Sequence, residues 1–399
     1  MKQARRIAIV TPIAPYPPDS GTKLRIYHLI RILHAEGFRI LLVHYGQDVP
    51  KQTNNKIMEW CEEVIHIGEQ FTLPLISLPK RVYDRFGRVP FPSRPKLTEE
   101  LHRILNRWAP DIVQLEKTIS AAYLDINQLK ASGMRIVLEE GGVHHLYYER
   151  EAGAAKSIFS KMLNRRRAMR LKKYEKNIIG AVDAVVAVSL EESELLRKMN
   201  PKVHVIYAPN GVDEKLCSEP ITPAGQRQWG AFFCGSLNYK PNRDAVDLYL
   251  HSVMPLIKKK NKRIDFIIAG GGKQEDLAAV REPLFHPLGY VEDIYWYFKQ
   301  YALFVNPMRL GGGTNLKMLE AMACGMACVT TTMGAEGIGI ESGKQALIAK
   351  SMDEMAEHLC RLSDDKTQAT LLGEAAREFI ATNYTWPKCS KALITYYNS

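Results

Sequence analysis

No apolar run in the sequence approaches the roughly 20 residues that a membrane-spanning helix needs. The N-terminal stretch MKQARRIAIVTPIAP resembles a signal peptide in its basic start, but its apolar run ends at Pro12 and no small-residue cleavage site follows. The stretch therefore predicts a first β-strand, and we expect a cytoplasmic protein.

Cysteine is sparse and irregularly spaced. The seven cysteines are an odd number, and only Cys324 and Cys328 lie close together, without a histidine or second pair that would complete a metal site. We therefore expect buried, reduced thiols. No Asp-x-Asp constellation is placed to hold a metal, because the acidic stretch 363–366 is predicted to lie between C-terminal helices. We expect no metal and no cofactor.

Two common phosphate-binding motifs are also missing. Before the stretch GIESGKQ, Ile338 stands where a Walker loop needs glycine, and Gln345 follows the lysine. The stretch AGGGKQED lacks the third glycine of a dinucleotide fingerprint. The formal charge of +11 argues for anionic partners. Nucleic acid is not expected among them, because no recognition module accompanies the charge.

Short β-rich apolar runs alternate with helical patterns along the chain, which predicts parallel sheets joined by crossover helices. The turn-rich segment 208–230 is predicted to be the linker between two such sheets. The fold class is therefore α/β, with two doubly wound Rossmann-like domains facing a central cleft, at 1–208 and 209–383. The predicted strands are RIAIVTPI, FRILLVHY, EVIHIG, DIVQLEK, MRIVLEE, AVVAVS and VHVIYAP in the first domain, and AFFCGSLN, RIDFIIAGG, LFHPLGYV, YALFVNPM and MACVTTTM in the second.

Each predicted domain has a strand that leads into a glycine-containing loop and a helix with a basic first turn. In the first domain, Gly21 precedes a helix that carries Lys23 and Arg25, with Ile26, Leu29, Ile30 and Leu33 on its apolar face. Ligands of doubly wound folds bind at such helix N-termini, so two of these loops across a cleft would clamp a diphosphate. The second loop contains Arg309, Gly311, Gly312 and Gly313.

The helix after the second loop carries the candidate chemistry. Thr314 or Asn315 is a competent N-cap, and Lys317 and Glu320 lie three residues apart on one side of the helix. Three consecutive glycines and a lysine near the positive helix end are unfavourable without a bound anion. The Lys317 ammonium is suited to bind a phosphate, and the Glu320 carboxylate is suited to accept hydrogen bonds from a ribose diol. The alternative is a surface Lys–Glu pair beside a flexible loop.

Nearly the whole chain resembles the retaining glycosyltransferases of family 4, with two Rossmann-like domains in the B-type arrangement and the glycine-rich GGGTNLK branch as the nearest pattern. The resemblance rests on PYPPDSGTKLRIYHLIRIL, YEKNIIGAVDAVVAVSLEE, APNGVD, FFCGSLNYKPNRDAV, GYVEDIYWYF, VNPMRLGGGTNLKMLEAMACG and NYTWPKCSKALITYY.

The resemblance implies roles for several residues. Glu320 would hold the donor ribose, Tyr290 and Val291 would lie by the base, and the final helix at 384–399 would pack back on the first domain, which is implied to be the acceptor side. The second domain is implied to be the donor side. The loop backbone that would contact sugar and phosphates is that of Gly312, Gly313 and Thr314.

Three departures from the family pattern stand out. Gly312 replaces the glutamate expected eight positions before Glu320, and the usual arginine after the first strand of domain two is replaced by Ser236 and, one position out of register, Lys240. The family histidine after strand five is displaced to His144 or His145, and each is a catalytic or a structural candidate.

The implied reaction is transfer of a hexose from a UDP- or GDP-sugar to a glycan, lipid-linked or small-molecule acceptor, with retention and without metal. Lys317, the glycine-loop amides and the Gly21 helix end would stabilise the leaving diphosphate. A sugar-nucleotide epimerase or hydrolase of the same architecture and a catalytically idle nucleotide-sugar-binding protein are the alternatives.

The segment 156–177 has nine basic residues and one acid, Glu175, with interspersed apolar residues. A basic amphipathic helix of this kind contacts an anionic membrane, which would put the protein at the inner face of the cell membrane. A solvated charged face against domain one is the alternative. The interspersed apolar residues are Ile158, Phe159, Met162, Leu163, Met169 and Leu171.

Overall fold

The computed structural model describes residues 5–45, 57–68, 94–139, 143–155, 157–222, 226–272, 280–310 and 314–399. These residues form two compact units, Met1–Pro209 with Ser390–Ser399 (unit 1) and Asn210–Cys389 (unit 2). Each unit has one parallel sheet with helices packed on it, so the prediction of two doubly wound α/β domains is confirmed.

Unit 1 contains a seven-stranded parallel sheet in the order β3-β2-β1-β4-β5-β6-β7. The central strands are buried along nearly their whole length, because helices cover both faces of a parallel sheet. The strands are β1 Arg6–Thr11, β2 Arg39–His44, β3 Glu63–His66, β4 Ile112–Glu116, β5 Arg135–Glu139, β6 Ala184–Ala187 and β7 His204–Tyr207. The helices are α1 Gly21–Ala35, α2 Pro95–Trp108, α3 Lys117–Ala121, α4 Ile126–Ala131, α5 His144–Ala154, α6 Ile158–Ala181 and α7 Leu190–Met199.

Unit 2 contains a six-stranded parallel sheet in the order β10-β9-β8-β11-β12-β13. Its strands are β8 Gln228–Cys234, β9 Phe266–Ala269, β10 Phe285–Gly289, β11 Tyr301–Asn306, β12 Ala327–Thr331 and β13 Leu347–Ala349. Its helices are α8 Glu214–Ser218, α9 Lys240–Leu248, which a π-turn at Tyr249–Val253 joins to α10 Met254–Lys259, α11 Ile294–Gln300, α12 Leu316–Ala323, α13 Met352–Asp364 and α14 Lys366–Asn383. The final helix of the chain is α15 Trp386–Asn398.

The last helix continues from unit 2 into unit 1. Leu393, Ile394 and Tyr397 pack into the same apolar cluster as Ile7 of β1 and Ile26 of α1. The end of the chain is thus part of the unit 1 core.

The prediction of a linker over 208–230 is wrong for most of its length. Val212 and Leu216 are buried in the apolar core of unit 2, and Leu216 is the buried residue of the short helix α8. Arg377 donates hydrogen bonds to the carbonyls of Cys217 and Glu219 and holds the segment against α14. Two apolar side chains and a guanidinium thus fold a turn-rich stretch onto the domain.

Several smaller predictions can be compared with the structure. The apolar face of α1 is confirmed, because its four predicted residues are buried. All seven cysteines are free thiols, and all but the half-buried Cys217 are buried, as expected. Strand β13, only three residues long, was not predicted. None of the described helices is long and apolar enough to cross a membrane.

Candidate functional site

Lys317 extends from the first turn of α12 to the carboxyl end of β8. Its Nζ donates to Asn242 Oδ1 over 2.7 Å and lies 4.3 Å from the centroid of the Phe233 ring. Asn242 in turn donates from Nδ2 to the Ser236 carbonyl over 2.8 Å. The ammonium is therefore fixed at the edge of the sheet where parallel α/β folds bind ligands.

Two glycines after neighbouring strands make this arrangement possible. A Cβ on Gly235, whose φ is +149°, would lie 2.5 Å from Asn242 Nδ2 and 2.6 Å from Lys317 Nζ. A Cβ on Gly270, directly after β9, would lie 2.0 Å from the Gly235 carbonyl oxygen. The two backbones approach each other at a distance that only glycine permits.

Glu320 lies one turn further along α12 and faces a different partner. Its Oε1 accepts a hydrogen bond of 2.9 Å from the hydroxyl of Tyr295 on α11. Asp293 caps that helix, accepting hydrogen bonds from the backbone N–H groups of Tyr295 and Trp296. Because Lys317 and Glu320 are half-buried and each is held by another element, the alternative of a simple surface pair does not describe them.

Burial shifts the pKa of both groups towards neutrality. It raises the pKa of Glu320 to about 7, against the opposing effects of the Tyr295 hydrogen bond and of Lys317. It lowers the pKa of Lys317 to about 8, against the attraction of Cys234 and Glu320. Such shifts in groups that converge on one sheet edge are typical of functional sites.

Both ends of α12 are held by other parts of unit 2. Asn315 is the N-cap residue, but its side chain makes no capping bond and donates instead to Met308 Sδ over 3.2 Å. Thr314 is buried, and its carbonyl accepts from Asn210 Nδ2 over 3.4 Å. Arg227, which sequence reasoning missed, donates from Nη1 and Nη2 to the carbonyls of Gly325 and Cys324. The predicted loop residues Gly311, Gly312 and Gly313 lie outside the described residues.

The remaining donor-side candidates are on the surface of unit 2. The exposed Arg309 makes two hydrogen bonds of 2.8 Å to Asp244 on α9, so its charge is paired. Ser236 and Lys240 are exposed, and Lys240 begins α9. Tyr290 is 70% exposed beside Gly271, whereas Val291 packs partly into the core. The Tyr290 ring is therefore accessible from solvent, whereas the Val291 side chain is partly covered.

In unit 1, the expectation that the first turn of α1 directs two cations at a ligand is wrong for Arg25. Its guanidinium is buried, with Nε and Nη2 donating to Glu139 over 2.9 and 3.2 Å and Nη2 also donating to the Ala208 carbonyl over 2.7 Å. Lys23 forms an ion pair with Asp19. Gly21 is exposed at the start of α1. Of the two basic residues in the first turn of α1, Arg25 therefore belongs to the core of unit 1, and Lys23 pairs with Asp19 in the loop.

A second buried carboxyl group lies beside Glu139 in register, Glu116 on β4. Gln114 donates to Glu116 Oε1 over 2.5 Å, and the Tyr397 hydroxyl donates to Gln114 Oε1. Burial and the neighbouring Glu139 raise the pKa of Glu116 to about 8. The sequence indicates this buried polar group through Gln114 and Glu116, which lie on one face of an otherwise apolar strand.

His144 begins α5 after β5 and is half-buried. Burial and then Lys117 lower the pKa of its imidazole to about 4. Lys117, at the carboxyl end of β4, has a φ of +65°, which is uncommon for a side chain other than glycine. Sequence reasoning missed Lys117, because nothing in the residue order signals its backbone conformation.

His145, the other histidine candidate, is enclosed in unit 1 and paired with Glu175. Its imidazole is completely buried, with Nδ1 2.5 Å from Glu175 Oε2, and its backbone N–H donates to Glu175 Oε1 over 3.1 Å. The pair joins α5 to α6. Within the described ranges, no group of three or more histidine, cysteine, aspartate or glutamate side chains is arranged to hold a metal ion.

Comparison with known protein families defines the class of this protein. Residues 19–216 match the family model described as Glycosyltransferase Family 4, and residues 230–365 match the model described as Glycosyl transferases group 1. Together with the two Rossmann-like sheets, these matches make the chain a glycosyltransferase of the GT-B type.

Individual relatives are similar over their full length. An uncharacterised 44.6 kDa protein in the cps region of Klebsiella pneumoniae is 24% identical and covers 97% of this chain and 98% of its own. Sucrose-phosphate synthase from Thermosynechococcus elongatus has a TM-score of 0.74 at 15% identity, covering 99% of this chain and 98% of its own. Anabaena HepE, in complex with UDP and glucose, has a TM-score of 0.70 at 12% identity and covers 99% of both chains.

Proposed function

We propose that this protein transfers a hexose from a nucleoside diphosphate sugar to a glycan, lipid-linked or small-molecule acceptor, with retention of the anomeric configuration. The observation that carries the proposal is that Lys317 and Glu320, from adjacent turns of one helix, both act electrostatically on Cys234, the last residue of β8. UDP is the first nucleotide to test, because the similar HepE structure holds UDP and glucose. GDP is the second.

In this proposal the two side chains have different tasks. The Lys317 ammonium and the N–H groups at the start of α12 balance the charge that develops on the leaving diphosphate, so that no metal is required. The Glu320 carboxylate accepts hydrogen bonds from the ribose diol. Tyr290 offers its exposed ring to the base. The glycine loop, Gly311 to Gly313, contributes backbone contacts.

Unit 1 is proposed to bind the acceptor at the carboxyl ends of β4 and β5. His144 and Lys117 lie there together, and the lowered pKa of His144 keeps its imidazole neutral at physiological pH. A neutral imidazole accepts a hydrogen bond from an acceptor hydroxyl. We extend the proposal to cytoplasmic synthesis of polysaccharide or cell-envelope glycans, for which the relative in the Klebsiella cps region is the support.

The first experiment is thermal unfolding of the purified chain with UDP, GDP, ADP, TDP and CMP. A ligand at about 100 times its dissociation constant stabilises by roughly 2.7 kcal/mol. We expect one diphosphate to raise the melting temperature, Glu320→Ala to abolish the increase, and the exposed α14 variant Glu374→Ala to keep it. A shift that survives Glu320→Ala would move the nucleotide away from α12, and no shift with any nucleotide would favour an idle fold.

The nucleotide sugar identified in this way then tests the reaction. Incubation without acceptor leaves the donor sugar unchanged or slowly hydrolysed in a transferase, whereas an epimerase converts it. Proton NMR of the first sugar released reports the anomer, and we expect the configuration of the donor. Inversion would contradict the retaining mechanism while leaving the nucleotide site intact.

A further inference from the structure

The helix α6 has two faces of different character. Ala168, Leu171, Glu175 and Ile179 are buried against unit 1. The opposite face contains four large apolar side chains that are strongly exposed within twelve consecutive residues: Ile158 (80%), Phe159 (70%), Met162 (60%) and Met169 (64%). Of the six apolar residues in the basic segment, only Leu171 is therefore part of the core, and Lys156 lies outside the described residues.

Three of the exposed residues form a line along the helix. Ile158, Met162 and Met169 are separated by four and seven residues, which at 100° per residue puts them within about 40° of one another. Phe159 lies beside the first of them. Grouped apolar side chains on a protein surface mark a contact with a membrane or a partner.

Basic side chains lie on both sides of this apolar line. By the same helical spacing, Arg165 and Lys172 flank one side and Arg166 and Lys173 flank the other, and all four are exposed. The only acid in the helix, Glu175, is buried against His145 and does not reduce the charge of the outer face. A stripe of this kind combines apolar area with positive charge, the two properties that bind an anionic bilayer surface.

We propose that the outer face of α6 (Ile158, Phe159, Met162, Arg165, Arg166, Met169, Lys172 and Lys173) docks the protein on an anionic lipid bilayer. The methionine, isoleucine and phenylalanine side chains enter the headgroup boundary, and the arginines and lysines contact lipid phosphates. The buried Leu171, the core contacts of Ile179 and the His145–Glu175 pair hold the helix on unit 1. This proposal does not depend on the proposed sugar transfer, because it uses no residue of that site.

The test is co-sedimentation of the full chain with vesicles of phosphatidylcholine alone and of equal parts phosphatidylcholine and phosphatidylglycerol. We expect binding to the anionic vesicles that weakens with salt. The charge variant Arg165→Gln/Arg166→Gln/Lys173→Gln should bind about fivefold more weakly per charge removed, since each basic residue near the surface contributes about 1 kcal/mol. The apolar variant Ile158→Ser/Met162→Ser/Met169→Ser should also lose binding.

Matched controls use exposed residues elsewhere. Arg197→Gln/Lys198→Gln/Lys202→Gln removes the same charge from exposed positions of unit 1 outside α6, and Leu371→Ser removes an apolar side chain that is 60% exposed on unit 2. Both should bind vesicles like the unmodified chain. Equal loss in the charge variant and its control, or equal binding to both vesicle types, would overturn the proposal.

Self-association is the remaining outcome. Sedimentation velocity without lipid would reveal a dimer, and a dimer that the apolar variant abolishes, together with absent vesicle binding, would assign the face to a second copy and overturn the membrane proposal. The nucleotide-induced thermal shift is measured on every variant. Vesicle binding without a nucleotide shift, or the reverse, shows which of the two proposals has failed.

Discussion

Lys317 and Glu320 are opposite charges that come from adjacent turns of α12, yet burial brings the pKa of each close to neutrality. A group in this range changes its ionisation with a small change in surroundings, so an arriving diphosphate would favour charged Lys317. The Tyr295 hydroxyl opposes the effect of burial on Glu320, because its hydrogen bond favours the ionised form of that carboxyl group.

Removing that hydroxyl gives a pH test. Tyr295→Phe takes away a hydrogen bond to the carboxylate, so the pKa of Glu320 should rise from about 7 by roughly one further unit. Nucleotide affinity, which in the proposed site requires ionised Glu320, should decline as pH falls and should do so at higher pH in the variant. Isothermal titration calorimetry between acidic and alkaline pH measures both profiles. Tyr297→Phe on the same helix is the control, and identical profiles for Tyr295→Phe and the unmodified chain would contradict the assignment.

At the scale of elements, the proposed nucleotide site lies where two strands end and a helix begins. Gly235 follows β8, Gly270 follows β9, and both leave room for something else: Gly235 for the ends of Asn242 and Lys317, Gly270 for the backbone of Gly235. The two glycines therefore differ in what a side chain would displace. Movable side-chain ends give way at low cost, whereas a backbone carbonyl does not.

Substituting the two glycines should separate binding from stability. Gly235→Ala should push Asn242 and Lys317 aside and abolish the nucleotide-induced thermal shift, and its loss of stability should come mainly from the strain of alanine at a φ of +149°. Gly270→Ala should lower the free energy of unfolding by roughly 1–3 kcal/mol or more, because of its backbone clash. Gly343→Ala is the control: its φ is +87°, but nothing lies within 4 Å of the added Cβ. Chemical denaturation and the nucleotide titration measure the two effects, and a Gly235→Ala variant that binds nucleotide normally would refute this account of Lys317.

The sequence predicts the strands and helices, but it does not predict which residues pair with Lys317 and Arg25. The strands of both sheets follow from short apolar runs, because burial on two faces leaves a continuous signal. Strand β13 is too short to give one. Asn242, the partner of Lys317, is 75 residues away in sequence, and the Arg25–Glu139 pair spans 114 residues, so nothing local indicates either contact. The sequence around Val212 predicts a linker, because turn-forming residues outnumber the two apolar residues that are buried in the core of unit 2.

At the scale of the molecule, a polar network in unit 1 unites distant parts of the chain. Hydrogen bonds join Arg25 of α1 to Glu139, and others join Tyr397 of the last helix to Gln114 and Gln114 to Glu116. The two groups meet where Glu116 and Glu139 lie beside each other on neighbouring strands. Because burial raises the pKa of Glu116 to about 8, the folded state holds a proton that the unfolded chain releases at much lower pH.

This linkage predicts a pH-dependent stability. Between about pH 4.5 and 8, Glu116 binds more protons in the folded state than in the unfolded state. Its contribution to the free energy of unfolding therefore falls as pH rises, by at most about 1.4 kcal/mol per pH unit. Glu116→Gln retains an acceptor for Gln114 and removes the titration. Urea denaturation at several pH values should show a flatter profile for the variant, with its relative gain largest at pH 8. A gain that is independent of pH would contradict the raised pKa.

The division of the chain has a consequence for its synthesis. Unit 2 is one continuous stretch, and its two ends meet, with Cys389 Sγ 3.4 Å from the Asn210 carbonyl oxygen and Val212 bridged to Thr385. Unit 1 is interrupted by it and needs Leu393, Ile394 and Tyr397 to fill its core. On the ribosome, unit 1 is therefore completed after unit 2: its core closes only when residues 390–399 have emerged, by which time unit 2 has its whole sequence available to fold.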